Sequence, residues 1–238
     1  RALPLGQTPK RHQILTKLRS KPSVKGAVIA LVLLLAVVLL APFLSPQNPY
    51  DLGALDLMDG RLPPGSQAAS GMHYWLGTDD QGRDMLSAIL HGLRISLMVG
   101  LSAVALATVI GSLVGLVAAY FGGWVDTALM RIVDFILGFP TILVALVLLA
   151  IMGRGVDKVV IAIVLVQWAH YARIMRGRAL QERKKEYIEA AKNLGFPAWR
   201  IMTRHLLPNC MGPVLVFATI QIANAIVLEA TLSFLGVG

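Results

Sequence analysis

Residues Val24 to Leu44 form an apolar run of about 21 residues whose single charge, Lys25, lies at its start. As a helix, that length crosses about 30 Å of hydrocarbon. Further runs follow at about 93–120, 127–152, 156–176 and 211–231, so the pattern predicts an all-α, polytopic membrane protein with five spans. Composition agrees. The chain is 56% hydrophobic and 15% charged, against about 45–50% and 25% in soluble domains. A signal peptide also begins with basic residues before an apolar stretch. Here the run ends in Pro42, Pro46 and Pro49 without a small-residue cleavage pattern, so it reads as a retained span.

The net charge of +9 is unevenly spread. Residues 1–25 hold seven of the 22 Lys and Arg and no acid, and 173–204 hold nine more; the connection 45–92 holds only Arg61 and Arg83 against six Asp. By the positive-inside rule the N-terminus and the 177–209 loop face the cytoplasm, and 45–92 lies outside. A cytoplasmic start and four crossings give the same side for 177–209. The basic excess is therefore a topology signal, and nucleic acid is not an expected partner. The chain divides into a basic segment 1–23, a first span 24–44, an external loop 45–92 with an interfacial helix, and a membrane domain 93–238. Cys210, the lone cysteine, excludes an internal disulfide and offers no Cys-rich metal site.

The loop after the fourth span carries the most specific pattern. In Glu186-Tyr187-Ile188-Glu189-Ala190-Ala191-Lys192-Asn193-Leu194-Gly195, the residues Tyr187, Ala190, Ala191 and Leu194 share one helical face. Gly195 suits the left-handed C′ position, and Pro197 blocks continuation. A second short helix is expected over Ala198–Leu206, stopping before Pro208. The alanines keep the face low enough for a partner to approach closely. On these grounds alone, a docking face and an apolar side resting on lipid headgroups remain equal alternatives. The spacing of Glu189-Ala190-Ala191, Gly195 and His205-Leu206-Leu207-Pro208 resembles the signature loop of binding-protein-dependent ABC importer permeases. Histidine before Leu-Pro-Asn resembles the peptide and nickel branch. The stretch Gly77-Thr78-Asp79, Gly82-Arg83-Asp84 and Ser87 is similar to dipeptide and oligopeptide permeases of the second-subunit type.

The resemblance implies a coupling helix, with Glu189, Ala190, Ala191 and Gly195 as the motif that docks an ATPase subunit; Glu186, Tyr187 and Leu194 of the same helix are expected to complete the docking surface. It implies a homologous permease subunit, two ATPase subunits that bind ATP and Mg, and an external substrate-binding protein. The substrates it implies are dipeptides or short oligopeptides, with nickel chelates or glutathione as alternatives in the same branch. It implies a bacterial inner-membrane location and six spans in all, so that a further span would follow Gly238. A secondary transporter is the reading from another class; it predicts internal repeats and broken helices with charges at mid-membrane, and the sequence displays neither.

Thr78 with Gln81 fits a capping box that would start the interfacial helix. In the second span, Ala103, Ala107, Gly111, Gly115 and Ala119 recur every four residues, a ridge of small side chains that allows close helix packing. Gln167, Gln221, Asn224 and Glu229 are polar positions inside spans; they either line a pathway or bond between helices. No phosphate loop, metalloprotease His-Glu-x2-His or Gly-x-Ser-x-Gly elbow occurs in the sequence. No catalytic or metal-binding residue is expected, and no cofactor in this chain.

Overall fold

The structure is a computed structural model describing residues 21–236, apart from 52, 54, 69 and 70. The basic segment before Lys21 lies outside the described residues. The chain forms two compact units, one up to Ile95 and one from Ser96.

In the first unit, α1 (Pro22–Leu44) opens with proline in its first turn, where a missing N–H costs nothing. Its flanks stay apolar and exposed, with Leu31, Leu39 and Phe43 facing outward, as a lipid-facing helix requires. The connection that follows is tightly folded. A 3-10 turn (Leu57–Asp59) precedes a two-stranded antiparallel pair, β1 (Ser66–Gln67) and β2 (His73–Tyr74), in which Ser66 faces Tyr74. The Tyr74 hydroxyl donates to Asp59 Oδ2 at 3.0 Å. Burial, with this bond second, pushes the phenol up to about 12.

The next helix, α2 (Met85–Phe121), is continuous for 37 residues, about 55 Å. The expected interfacial helix and second span are therefore one element, with no Pro in 85–121 to break it. Its start differs from the expectation. Thr78 pairs with loop backbone instead, accepting the Leu62 N–H at 2.8 Å. Asp84 is the cap: its Oδ2 accepts the N–H of Ser87 at 2.8 Å, and Gln47 Oε1 accepts the Asp84 N–H at 2.9 Å.

The second unit is centred on α5 (Val156–Glu182), whose Ala162, Ile163, Ala169, Ala172 and Met175 are fully buried. Against it pack α3 (Gly123–Leu137), α4 (Thr141–Met152) and α8 (Leu207–Phe234). The expected third span, 127–152, is not one straight helix. It is the pair α3 and α4, bent by 89°. Phe139 precedes Pro140, which disfavours the helical conformation and removes the next donor. Four helices among the described residues are long and apolar enough to cross a membrane, five if the bent pair counts as one crossing.

Beyond α5 lie α6 (Glu186–Asn193), α7 (Ala198–Ile201) and a π-helical turn (Met202–Leu206) that runs directly into α8. The helix expected to stop before Pro208 therefore continues through it. The π turn is the reason: Leu207 N–H bonds to Met202 O, five residues back, which widens the coil where Pro208 has no donor and its ring needs room.

Candidate functional site: the α6 platform

The helix α6 begins after Lys185, with Glu186 and Glu189 in its first turn and Lys192 in its last. Each charge complements the helix dipole. Its end is a Schellman motif. Gly195 has φ +73°, its N–H bonds to Lys192 O at 2.9 Å, and the Phe196 N–H reaches Ala191 O at 3.1 Å. Only a residue without Cβ adopts that conformation cheaply.

The helix presents two faces. Ile188 and Ala191 are buried against the chain (0% and 4% exposed), whereas Glu186, Tyr187, Glu189, Ala190, Leu194 and Gly195 are exposed. This corrects the expected face at one residue. Ala191 points inward with Ile188, three residues earlier, and anchors the helix. The outward surface is Tyr187, Ala190 and Leu194, low at its centre and bordered by Glu186 and Glu189.

Tyr187 and His205, together with Glu182, Asn209 and Phe196, which sequence reasoning did not single out, hold this platform to α8. The Tyr187 hydroxyl donates to Glu182 Oε1 at 2.6 Å. Asn209 Nδ2, in α8, donates to the Tyr187 oxygen at 3.2 Å and to the carbonyl of His205 at 2.7 Å. The His205 ring stacks on Phe196 with centroids 6.1 Å apart and planes 10° apart, and Arg200 covers the same phenyl at 4.8 Å. Lys185 pairs with Glu182 at 2.8 Å. Partial burial and the Glu182 bond raise the Tyr187 phenol to about 12, so it stays neutral and able to donate. The signal available in the sequence was His205 and Asn209 flanking Leu-Leu-Pro. Arg183 fixes the other side of the loop by donating Nη1 to the carbonyls of Ala119 and Tyr120, at 2.7 and 3.0 Å, which caps the end of α2.

Around the platform the helices are closely packed. Ala103, Ala107, Gly111, Gly115 and Ala119 are all buried. The ridge meets α5: a Cβ on Gly111 would lie 2.3 Å from Trp168 O, and one on Gly115 2.2 Å from Ala172 O. Arg176 makes a two-pronged ion pair with Asp126, and Arg173 pairs with Asp134, tying α3 to α5. Both arginines had counted only as topology charges. The signal missed was two acids eight residues apart inside an apolar stretch, where each needs a cation.

The four polar span residues do not form one group. Gln167 is buried. Asn224 Nδ2 donates to Gln221 Oε1 at 2.6 Å within the same helix. Glu229 accepts from Ser96, across to α2, at 2.7 Å and from Ser233 at 2.9 Å. Cys210 is buried as a free thiol. Among the described residues no cluster of His, Cys, Asp or Glu has the makings of a metal site.

Comparison with known proteins gives this architecture its context. The family described as "Binding-protein-dependent transport system inner membrane component" matches residues 111–238, which include the platform, the ridge from Gly111 and all of α8. A glutathione transport system permease protein of Pectobacterium atrosepticum is 38% identical over 98% of this chain and 74% of its own length. A putative peptide permease of Brucella abortus is 37% identical over 100% and 75%, and a dipeptide transport system permease protein of Bacillus subtilis 36% identical over 93% and 67%. The chain belongs to the family of binding-protein-dependent transport system inner membrane components, and is a multi-pass permease subunit of an ABC importer.

Proposed function

We propose that the chain forms half of the pathway by which short peptides, dipeptides above all, enter the cytoplasm at the expense of ATP. The peptide reading is supported by the dipeptide and peptide permeases among its relatives. The glutathione permease of Pectobacterium atrosepticum fits the same chemistry, since glutathione is itself a short peptide. The other half of the pathway is a homologous permease. Two ATPase subunits dock on the cytoplasmic side and bind ATP and Mg, and an external binding protein delivers the peptide. This chain performs no hydrolysis. Its N-terminus and the 177–209 loop are cytoplasmic.

One observation carries the docking assignment: the exposed face Tyr187, Ala190 and Leu194 is apolar and small at its centre, yet its helix is fastened to α8 through Tyr187, Asn209 and His205. A face fastened in this way passes a push from a partner directly to α8. Ala190→Trp overfills a receiving groove, at a cost of about 1–3 kcal/mol, and Glu189→Lys reverses a rim charge. In liposomes holding the complete importer, each change is expected to release the ATPase subunits or to let hydrolysis proceed without uptake. Delivery by the binding protein stays normal. Retained subunits and uptake at the unmodified rate in both variants would show that α6 is not the docking element.

A further inference from the structure

The bend between α3 and α4 leaves Gly138, Phe139 and Pro140 outside any helix. Non-helical backbone at membrane depth persists only where protein buries it or where it lines a cavity. Here a cavity of about 310 Å³ lies at the bend. Ile136 and Phe139 come to it from the end of α3 and the bend, Thr141 from the start of α4, His170 and Arg173 from α5, and Phe217 from α8. The volume is at the small end for ligand sites.

Its chemistry is mixed in a particular way. Phe139, Ile136 and Phe217 supply apolar walls, and the His170 ring lies over Phe217 at 6.4 Å and 28°. Arg173 sits at the rim. It reaches Asp134 through Nη2 alone, whereas a guanidinium carries five N–H donors. A neighbouring groove that shares Phe139, lined also by Phe135, Leu143 and Val147, has no cation or imidazole and suits an acyl chain. An acyl chain in the cavity at the bend would leave unused the Arg173 donors that Asp134 does not take. An apolar slot with an arginine at its mouth matches an amino-acid side chain followed by a free carboxylate.

We propose that this cavity is a subsite for the carboxy-terminal residue of the transported peptide, with the side chain between Phe139 and Phe217 and the carboxylate on Arg173. The proposal rests on the peptide reading above. It adds that the permease itself reads one end of its cargo, at the basic end of α5 from which the peptide leaves for the cytoplasm.

The test uses the complete transporter in liposomes, without ATP and without the binding protein, carrying Thr141→Cys in a Cys210→Ser background. The rate at which a maleimide alkylates the thiol at position 141 is measured against rising Ala-Phe or its carboxy-terminal amide. Ala-Phe is expected to slow alkylation to a saturable limit. The amide should need an about tenfold higher concentration, the usual loss when a charged hydrogen bond is removed, and Arg173→Gln should erase the difference between the two. If Thr141→Cys fails to assemble, Ile174→Cys on the α5 wall replaces it. No protection by Ala-Phe, or equal protection by the amide, overturns the subsite. Uptake of Ala-Phe by the unmodified importer, measured in parallel with its binding protein, separates the two failures. Uptake without protection leaves the peptide permease standing and the subsite wrong, whereas no uptake of any peptide removes the peptide reading itself.

Discussion

At the scale of single residues, close approach decides more than polarity does. Gly111 has Trp168 O, Tyr171 Cβ and the Ala172 nitrogen within 2.9 Å of where a Cβ would stand. Backbone atoms cannot swing aside as a side chain can, so Gly111→Leu must part α2 from α5. It is expected to lower the thermal stability of the detergent-solubilised complex by at least the about 1–3 kcal/mol typical of overpacking, read as a lower aggregation temperature. Gly177, also in a helix, has nothing within 4 Å. There Gly177→Ala should leave that temperature unchanged or raise it slightly, since alanine restricts the unfolded chain more. A third change isolates an ion pair. Asp126 is largely shielded, its side chain 17% exposed, and it holds Arg176 with both oxygens. Asp126→Asn should cost about 1.5–3 kcal/mol, the range for charged hydrogen bonds, seen in the same melting assay. The spacing of the small residues was plain in the sequence, but their partner was not. A ridge of alanines and glycines fits any helix that is equally low, and only the fold selects Trp168–Ala172.

Among elements, the instructive cases are those where prolines act differently in similar surroundings. Pro140 ends a helix and turns the chain by 89°. Pro208 lies within a continuous helical path of 37 residues from Ala198 to Phe234. What separates them is the preceding turn. Before Pro140, Gly138 and Phe139 leave the helix, whereas before Pro208 the Met202–Leu206 segment widens to a π turn that accommodates the ring. Hydrophobic periodicity is blind to this choice, because both regions carry apolar residues on either side of the proline. The end of α6 was legible, since glycine followed at two residues by proline has one economical geometry there, the left-handed C′ position observed at Gly195. Gly195→Ala should strain that position by about 1–2 kcal/mol. The expected outcome is fraying of α6 and weaker retention of the ATPase subunits during purification, with the amount of permease in the membrane unchanged.

For the whole molecule, the bent pair decides the number of crossings. If α3 and α4 together cross once, the described residues cross five times, and the N-terminal side and the 177–209 loop share a compartment. If the pair returns to the side it left, they lie on opposite sides. The two basic segments argue for one crossing. In a Cys210→Ser background, a cysteine introduced by Gln181→Cys should therefore resist an impermeant thiol reagent in intact cells, and one introduced by Ser66→Cys should label. Labelling at 181 would mean that α3 and α4 form a re-entrant loop.

Composition and periodicity settle that this chain lives in a membrane as a bundle of helices, because hydrocarbon tolerates only backbone that satisfies its own hydrogen bonds, and runs of that length have no other use. Local chemistry settles where α6 ends. Tertiary structure alone decides which side of α6 is free. Periodicity groups Ala190 with Ala191 on one face, and only the packing of Ile188 and Ala191 against the chain leaves Ala190 outside. The same holds for the cavity at the bend. His170, Arg173, Phe139 and Phe217 are spread over 79 positions of sequence, and nothing in their spacing brings them together. Their meeting depends on α5 and α8 packing beside a helix pair that Pro140 has turned, a long-range arrangement set by how whole helices fit one another.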